Sequence, residues 1–244
     1  MERPQAEQLR SIDTDHRLWW ALSVYLLTDP ALAAETGRSV VDIARAAMEG
    51  GVTALQLRAK EMDAREQWRV GKELRELAAR HGVMFFVNDR VDLALALEAD
   101  GVHLGEEDLP VAEARRLADA AGRPGLIIGF STAVPAYARQ AVVDGADYIS
   151  VGNLFGTTRK PDAGAPVGTG PLAEIARAVK VPVIGIGGVA PENAARVIQA
   201  GGVGVAVISS IAASPDPAAA ARELADAVAA ARAKAGRATG GRPA

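Results

Sequence analysis

The chain contains no cysteine, so disulfides and thiolate metal sites are excluded. That lack is compatible with a reducing cytoplasm. Aromatic residues make up only 4%, and three histidines are the whole imidazole supply. Few rings are therefore at hand to stack on nucleobases, and few groups to move protons near neutral pH. Net charge is −3, so no global positive field draws the chain to nucleic acid or to an anionic membrane. Any phosphate it binds must meet a local cluster. A long apolar run is missing too: the stretch Ala21 to Leu27, behind Trp19 and Trp20, is too short to span a bilayer. Met1 to Arg17 mixes acids, bases and amides and does not read as a secretory signal. We read the chain as one cytoplasmic domain with loose ends, acting on small molecules, with no nucleic-acid or membrane partner.

What is present is a 244-residue chain, 49% hydrophobic, in which Ala and Val fill the space that rings would. Short β-branched runs alternate with Ala-rich amphipathic stretches, the pattern of βα units around a parallel sheet. Strands are expected at Leu22–Leu27, Thr53–Leu57, Val83–Val87, Gly101–Leu104, Gly125–Gly129, Tyr148–Val151, Val183–Ile186 and Val203–Ile208. Helices are expected at Val40–Met48, Ala64–Ala79, Val91–Leu97, Val111–Ala120, Pro135–Val143, Pro171–Val179, Pro191–Ala200 and Pro217–Ala231. Four of these begin at or beside a proline, whose missing N–H costs nothing at a helix start. A weak repeat (Gly50-Gly51-Val52, Ala99-Asp100-Gly101-Val102, Gly145-Ala146-Asp147-Tyr148, Gly201-Gly202-Val203-Gly204) closes a helix and opens every second strand. About eight such units in this length favour a closed (β/α)₈ barrel of the α/β class over an open doubly wound sheet. The expected layout is an N-terminal extension over 1–20, a single barrel domain over 21–233 and a flexible tail over 234–244.

In such a barrel the chemistry belongs at the C-terminal strand ends. After the second strand, Gln56, Arg58 and Lys60 share one side of an extended segment, an amide and two cations suited to a polyanion. The third strand ends in Asn88-Asp89 and the fourth is followed by Glu106-Glu107-Asp108. Asp89 and Asp108 could share a Mg²⁺ with substrate phosphate, or each could cap the helix that follows. Ser131, ending the fifth strand, could donate to a phosphate or cap a helix. The sixth strand opens a polar loop that carries Thr157, Thr158, Arg159 and Lys160, with glycines further on that suit a mobile lid. Gly187 and Gly188 after the seventh strand, with Ile208 and Ser209 at the end of the eighth, match a backbone phosphate site. His16 and His81 lie away from these ends, and His103, inside the fourth strand, reads as packed or supporting. Two anion sites without a His or Cys nucleophile point to departure of a diphosphate through electrostatic stabilisation.

These segments, in order from Tyr25 to Ile211, resemble the thiamine phosphate synthase family. The resemblance rests on Tyr25-Leu26-Leu27-Thr28-Asp29, Gln56-Leu57-Arg58-Ala59-Lys60, Asn88-Asp89, Gly101 to Asp108, Gly129-Phe130-Ser131, Phe155 to Lys160, Ile186-Gly187-Gly188 and Val205 to Ile211. It implies that Gln56, Arg58, Lys60, Asn88, Ser131 and Lys160 hold a pyrimidine diphosphate and that Asp89 and Asp108 ligate Mg²⁺. It implies that a thiazole phosphate lies against Thr157, Thr158, Arg159, Gly187, Gly188, Ile208 and Ser209, with Arg58, Lys60, Ser131 and Lys160 as the catalytic set. In the chemistry it implies, diphosphate departs in a largely dissociative step and the thiazole nitrogen captures the pyrimidine methylene cation. A homodimer through outer helices is left open by analogy. This chain departs from the family pattern at Ala133, where a histidine is usual, and at Asn153, Gly156 and Arg159 in the sixth-strand loop. Losing two prolines there is expected to loosen the lid.

A related thiazole tautomerase would need the histidine that Ala133 replaces. A Schiff-base aldolase would need a desolvated lysine, whereas Lys60 and Lys160 sit among other charges. A degenerate barrel that binds precursors or a protein partner without turnover is the remaining rival, motivated by the altered loop.

Overall fold

A computed structural model of the chain describes residues 12–160 and 163–238. Helix α1 (Ile12–Ala21) leads into β1 (Val24–Leu27), followed by α2 (Pro30–Glu35), α3 (Val40–Glu49) and β2 (Ala54–Leu57). Next come α4 (Ala64–His81), β3 (Met84–Asn88), α5 (Val91–Ala96), β4 (Gly101–Leu104), α6 (Val111–Ala120) and β5 (Ile127–Ser131). The second half runs α7 (Pro135–Val143), β6 (Tyr148–Val151), α8 (Gly170–Ala178), β7 (Val183–Ile186), α9 (Pro191–Gln199), β8 (Gly204–Val207), α10 (Ser209–Ala212) and α11 (Pro217–Ala238). The strands are parallel and close in sequence order, β1 pairing with both β2 and β8.

Closure follows from residues that bury both faces of each strand. Outward residues such as Leu26, Leu55, Phe85, Val102, Ile149 and Val205 join the helices in one large apolar layer. Inward residues Tyr25, Ala54, Phe86, Ile127, Tyr148, Ile184 and Ala206 form a second cluster that fills the barrel. Glycine makes room for the rings there. A methyl on Gly129 would lie 2.1 Å from the Tyr148 ring, and one on Gly101 2.6 Å from Phe86. At the N-terminal end of the strands, α1 sends Leu18 into this inner cluster. Arg232 of α11 clasps that end: it donates to Ser23 Oγ at 2.6 Å and to the carbonyls of Trp19 and Val203, with its guanidinium over the Trp20 ring. Among the described residues, no helix is long and apolar enough to cross a membrane.

The differences from the expected bounds are local. The fifth strand begins at Ile127 and runs on through Ser131, so Ser131 belongs to the sheet. The last helix continues past Ala231 to Ala238, and only residues 239–244 of the expected tail lie outside the described residues. The extension contains α1, which is packed at the barrel's base. Short α2 and α10 were not expected. Asp29 caps α2 by accepting from Leu32 N–H at 3.0 Å, with Pro30 as the first helical residue.

Candidate active site

The ends of β2, β3 and β4 bring charge together. Gln56 lies inside the barrel at 1% exposure, with Arg58 and Lys60 beyond it on the loop. Thr28 fixes that loop, its hydroxyl donating to Arg58 O and accepting from Arg58 N–H, both at 2.9 Å. Lys60 Nζ stands 3.6 Å from Asp89 Oδ2. The Arg58 guanidinium takes no acceptor among the described residues. Asn88 ends β3 opposite His103, on the inward-facing row.

Neither carboxylate is a helix cap. Helix α5 takes Arg90 and α6 takes Pro110 in that position, without side-chain capping bonds. Asp108 Oδ2 instead accepts from Gly105 N–H at 2.7 Å, which turns the carboxyl back toward the mouth. Asp89 sits at φ +64 and anchors its own N–H on His103 O at 2.8 Å. Aspartate tolerates that left-handed backbone better than most residues. Burial first and the adjacent Asp108 carboxyl second raise the Asp89 carboxyl to about 6, against the partial opposition of Lys60. Two neighbouring carboxylates that resist joint ionisation make a spot where added positive charge is favourable.

Ser131 does not cap a helix either, since Thr132 accepts from Val134 N–H at 3.1 Å and donates to Glu106 at 2.6 Å. Ser131 Oγ lies 2.7 Å from His103 Nε2. On the other side of that ring, Nδ1 is 2.7 Å from Tyr148 Oη, which is 3.2 Å from Tyr25 Oη. Gln56 Nε2 donates to Tyr25 Oη at 2.8 Å, and Gln56 Oε1 is buried without a partner among the described residues. Burial holds the His103 imidazole down to about 4; the Asp108 charge opposes this and Lys160 adds to it. Burial pushes both phenols up. No local motif marks the buried row, because its members come from β1, β2, β4, β5 and β6.

The other half of the mouth is the loop after β6. Asn153 stands where the family has proline, and its amide ties the loop's two limbs. It accepts from Gly156 N–H at 3.0 Å and donates to Gly164 O at 3.2 Å. Leu154 and Phe155 N–H extend the pairing to Ile186 and Gly187 carbonyls at 2.9 Å each. The expected loosening thus meets compensating hydrogen bonds. Gly156 has φ +102, closed to proline. Gly187 and Gly188 (φ +97 and +65) serve this packing first: a methyl on Gly188 would come 2.2 Å from Gly156 O. Arg159 has two of its donor nitrogens already engaged, while its buried Nε–H has no partner among the described residues. Its guanidinium donates twice to the Glu35 carboxylate of α2, each bond 3.1 Å, and so joins the β6 loop to α2 beyond β1. Those bonds hold Glu35 below its ordinary value. Thr157 Oγ1 accepts from Arg159 N–H at 3.1 Å, while Thr158 and Lys160 are exposed. At the β8 end, Ile208 is the N-cap of α10 and Ser209 its first residue. The N–H groups of Gly188 and Ser209 take no backbone acceptor among the described residues.

Residues 24–211 match the family described as thiamine monophosphate synthase. Over 203 residues the chain is 53% identical to a thiamine-phosphate synthase of Roseiflexus castenholzii, covering 83% of this chain and 86% of that one. It is 51% identical to that of Moorella thermoacetica over 198 residues, 81% and 92% of the two chains. The fold is similar to a solved thiamine phosphate pyrophosphorylase from Pyrococcus furiosus, with TM-score 0.79, 41% identity, and 88% and 98% of the two chains covered. A 3-hexulose-6-phosphate synthase at 20% identity and TM-score 0.65 shares the barrel alone.

Proposed function

The chain belongs to the thiamine monophosphate synthase family, transferases of thiamine biosynthesis, and we propose that it joins 4-amino-5-hydroxymethyl-2-methylpyrimidine diphosphate to 4-methyl-5-(2-phosphooxyethyl)thiazole. The observation that carries this reading is the cluster of Lys60, Asp89 and Asp108 at one side of the mouth, with Arg58 on the same loop as Lys60. Cations and a pair of carboxylates at one spot suit a diphosphate bound together with a hard divalent ion.

The residues present fit Mg²⁺, which takes carboxylate oxygens, keeps several waters and tolerates only two protein ligands. Asp89 and Asp108 would hold it, and the raised Asp89 carboxyl is what a site awaiting a cation should have. When bound, the ion would neutralise diphosphate charge. Arg58, Lys60 and Lys160 would meet the phosphate oxygens, the guanidinium in a bidentate way, with Asn88 and Ser131 donating beside them. The bond between the pyrimidine methylene and the diphosphate oxygen breaks, and its electron pair leaves on that oxygen. These donors stabilise the charge as it develops there. The thiazole nitrogen then gives its lone pair to the methylene carbon, so no protein nucleophile is needed. Thiazole phosphate would lie against Thr157, Thr158, Gly187, Gly188, Ile208 and Ser209, with Arg159 acting on the loop through Glu35.

The test is diphosphate release on mixing the protein with both substrates and Mg²⁺, beside an EDTA control and an Asp89→Ala variant. Release that matches thiamine phosphate formation, needs metal and vanishes in the variant supports the reading. A folded protein that binds both compounds and releases nothing overturns it in favour of a degenerate barrel.

A further inference from the structure

The row of hydrogen bonds from Gln56 to Ser131 can run in one of two directions, because each hydroxyl in it has one proton to give. In one, the Gln56 amide donates to Tyr25, Tyr25 to Tyr148, Tyr148 to His103 Nδ1, and His103 Nε2–H to Ser131. Ser131 then accepts from inside the barrel and its own proton is free for the mouth. In the other, every bond reverses, Ser131 spends its proton on His103, and only lone pairs face outward.

Both ends favour the first direction. At the buried end, donation by Gln56 leaves its carbonyl oxygen and one N–H unmatched, whereas the flipped amide would leave two N–H donors unmatched in a residue that is 1% exposed, and an orphaned N–H is the rarer of the two in folded proteins. At the open end, Ser131 closes β5 at the same rim of the barrel as Lys60, where a diphosphate would find a donor favourable and lone pairs repulsive. Among the described residues the ring has no carboxylate in hydrogen-bond contact; both nitrogens meet hydroxyls. We infer that Tyr25, Tyr148 and His103 form an oriented relay that holds His103 as its neutral Nε2–H tautomer and fixes Ser131 as a hydrogen-bond donor to the departing diphosphate. They are positioning residues and none needs to touch the substrate. The role assigned to Ser131 rests on the activity proposed above; the direction of the relay does not.

The first experiment is a long-range ¹H–¹⁵N correlation spectrum of protein labelled at its three histidines, with His103→Gln to assign the His103 signals. An Nε2–H tautomer is expected; an Nδ1–H tautomer overturns the relay's direction, whatever the enzyme's activity. The second is a double-mutant cycle on diphosphate release. Tyr148→Phe keeps the ring that fills the barrel but cuts the chain. It should lower kcat roughly 10-fold, short of the 10²–10³-fold cost of losing a stabilising donor outright, with KM for the thiazole phosphate unchanged. In a Ser131→Ala background the same change should cost nothing further. Equal cost in both backgrounds would mean that Tyr148 acts through packing, and would overturn the positioning role. Tyr25→Phe cuts the chain one link earlier and serves if Tyr148→Phe does not fold. If the parent enzyme releases no diphosphate, the activity reading fails while the spectrum still reports the relay.

Discussion

Replacing Asp89 by asparagine should stabilise this protein while abolishing its activity. The carboxyl titrates at about 6 in the folded chain, against an ordinary value near 4, chiefly because it is buried and Asp108 lies beside it. Between those two values the folded chain holds a proton that the unfolded chain has lost. Stability therefore falls as pH rises through that window, and the full penalty stands above pH 6. At about 1.4 kcal/mol per pK unit, the penalty is on the order of 2–3 kcal/mol. Asparagine removes the charge, keeps nearly the same shape and accepts the φ of +64 that Asp89 adopts. Thermal unfolding of parent and Asp89→Asn, both stripped of metal, would measure the gap. At pH 7.5 the variant should melt roughly 4–10 °C higher for a chain of this size. The gap should shrink as pH falls below 6 and close near pH 4. Added Mg²⁺ should raise the melting temperature of the parent and not of the variant. A variant less stable than the parent at pH 7.5, or a gap that ignores pH, would refute the account of Asp89.

Glu35→Ala should release Arg159 and with it the loop over residues 153–168, seen as faster amide exchange there and a raised KM for the thiazole phosphate. The global melting temperature should hardly move, since the Glu35 end of the bridge is exposed. Arg232→Ala should do the reverse. It strands the Trp19 and Val203 carbonyls at the far end of the barrel and should cost about 2–3 kcal/mol in denaturant unfolding, with kcat unchanged.

The barrel was legible because its signal is local. The strands are short apolar runs, most of them entered through a turn that carries glycine or proline, and the helix-to-strand turns before β2, β6 and β8 use glycine at positive φ (Gly51, Gly145, Gly201). Where the pattern thins, another residue substitutes: Glu98 takes φ +50 in the turn before β4. Short α2 and α10 are not legible because so short a helix has no periodicity to read, and Ser209 in α10 reads in sequence only as a ligand. The site divides in the same way. Lys60, Asp89 and Asp108 follow consecutive strands, so the barrel rule alone predicts that they converge, and Lys60 does pair with Asp89. Arg159 could be named but not placed, because its partner Glu35 is 124 residues away.

Parity along the strands is the signal that could have revealed the buried relay. Side chains alternate between the two faces of a strand, so every second residue back from an active-site residue faces the same interior. Stepping along β5 from Ser131 leads inward through Gly129 to Ile127. Gly129 leaves the space that the Tyr148 ring occupies. Tyr25, Gln56, His103 and Tyr148 share that inward row on their own strands. Four polar side chains directed into a volume that apolar ones could fill more cheaply need a compensating use, since each buried hydroxyl or amide must find a partner. Apart from the Gln56 carbonyl oxygen they find one another, and the mouth-facing group that joins them among the described residues is Ser131. A glycine opposite a tyrosine in the middle of a barrel is thus more than a packing accommodation. It lets a phenol reach the imidazole that sets the direction of the Ser131 hydroxyl.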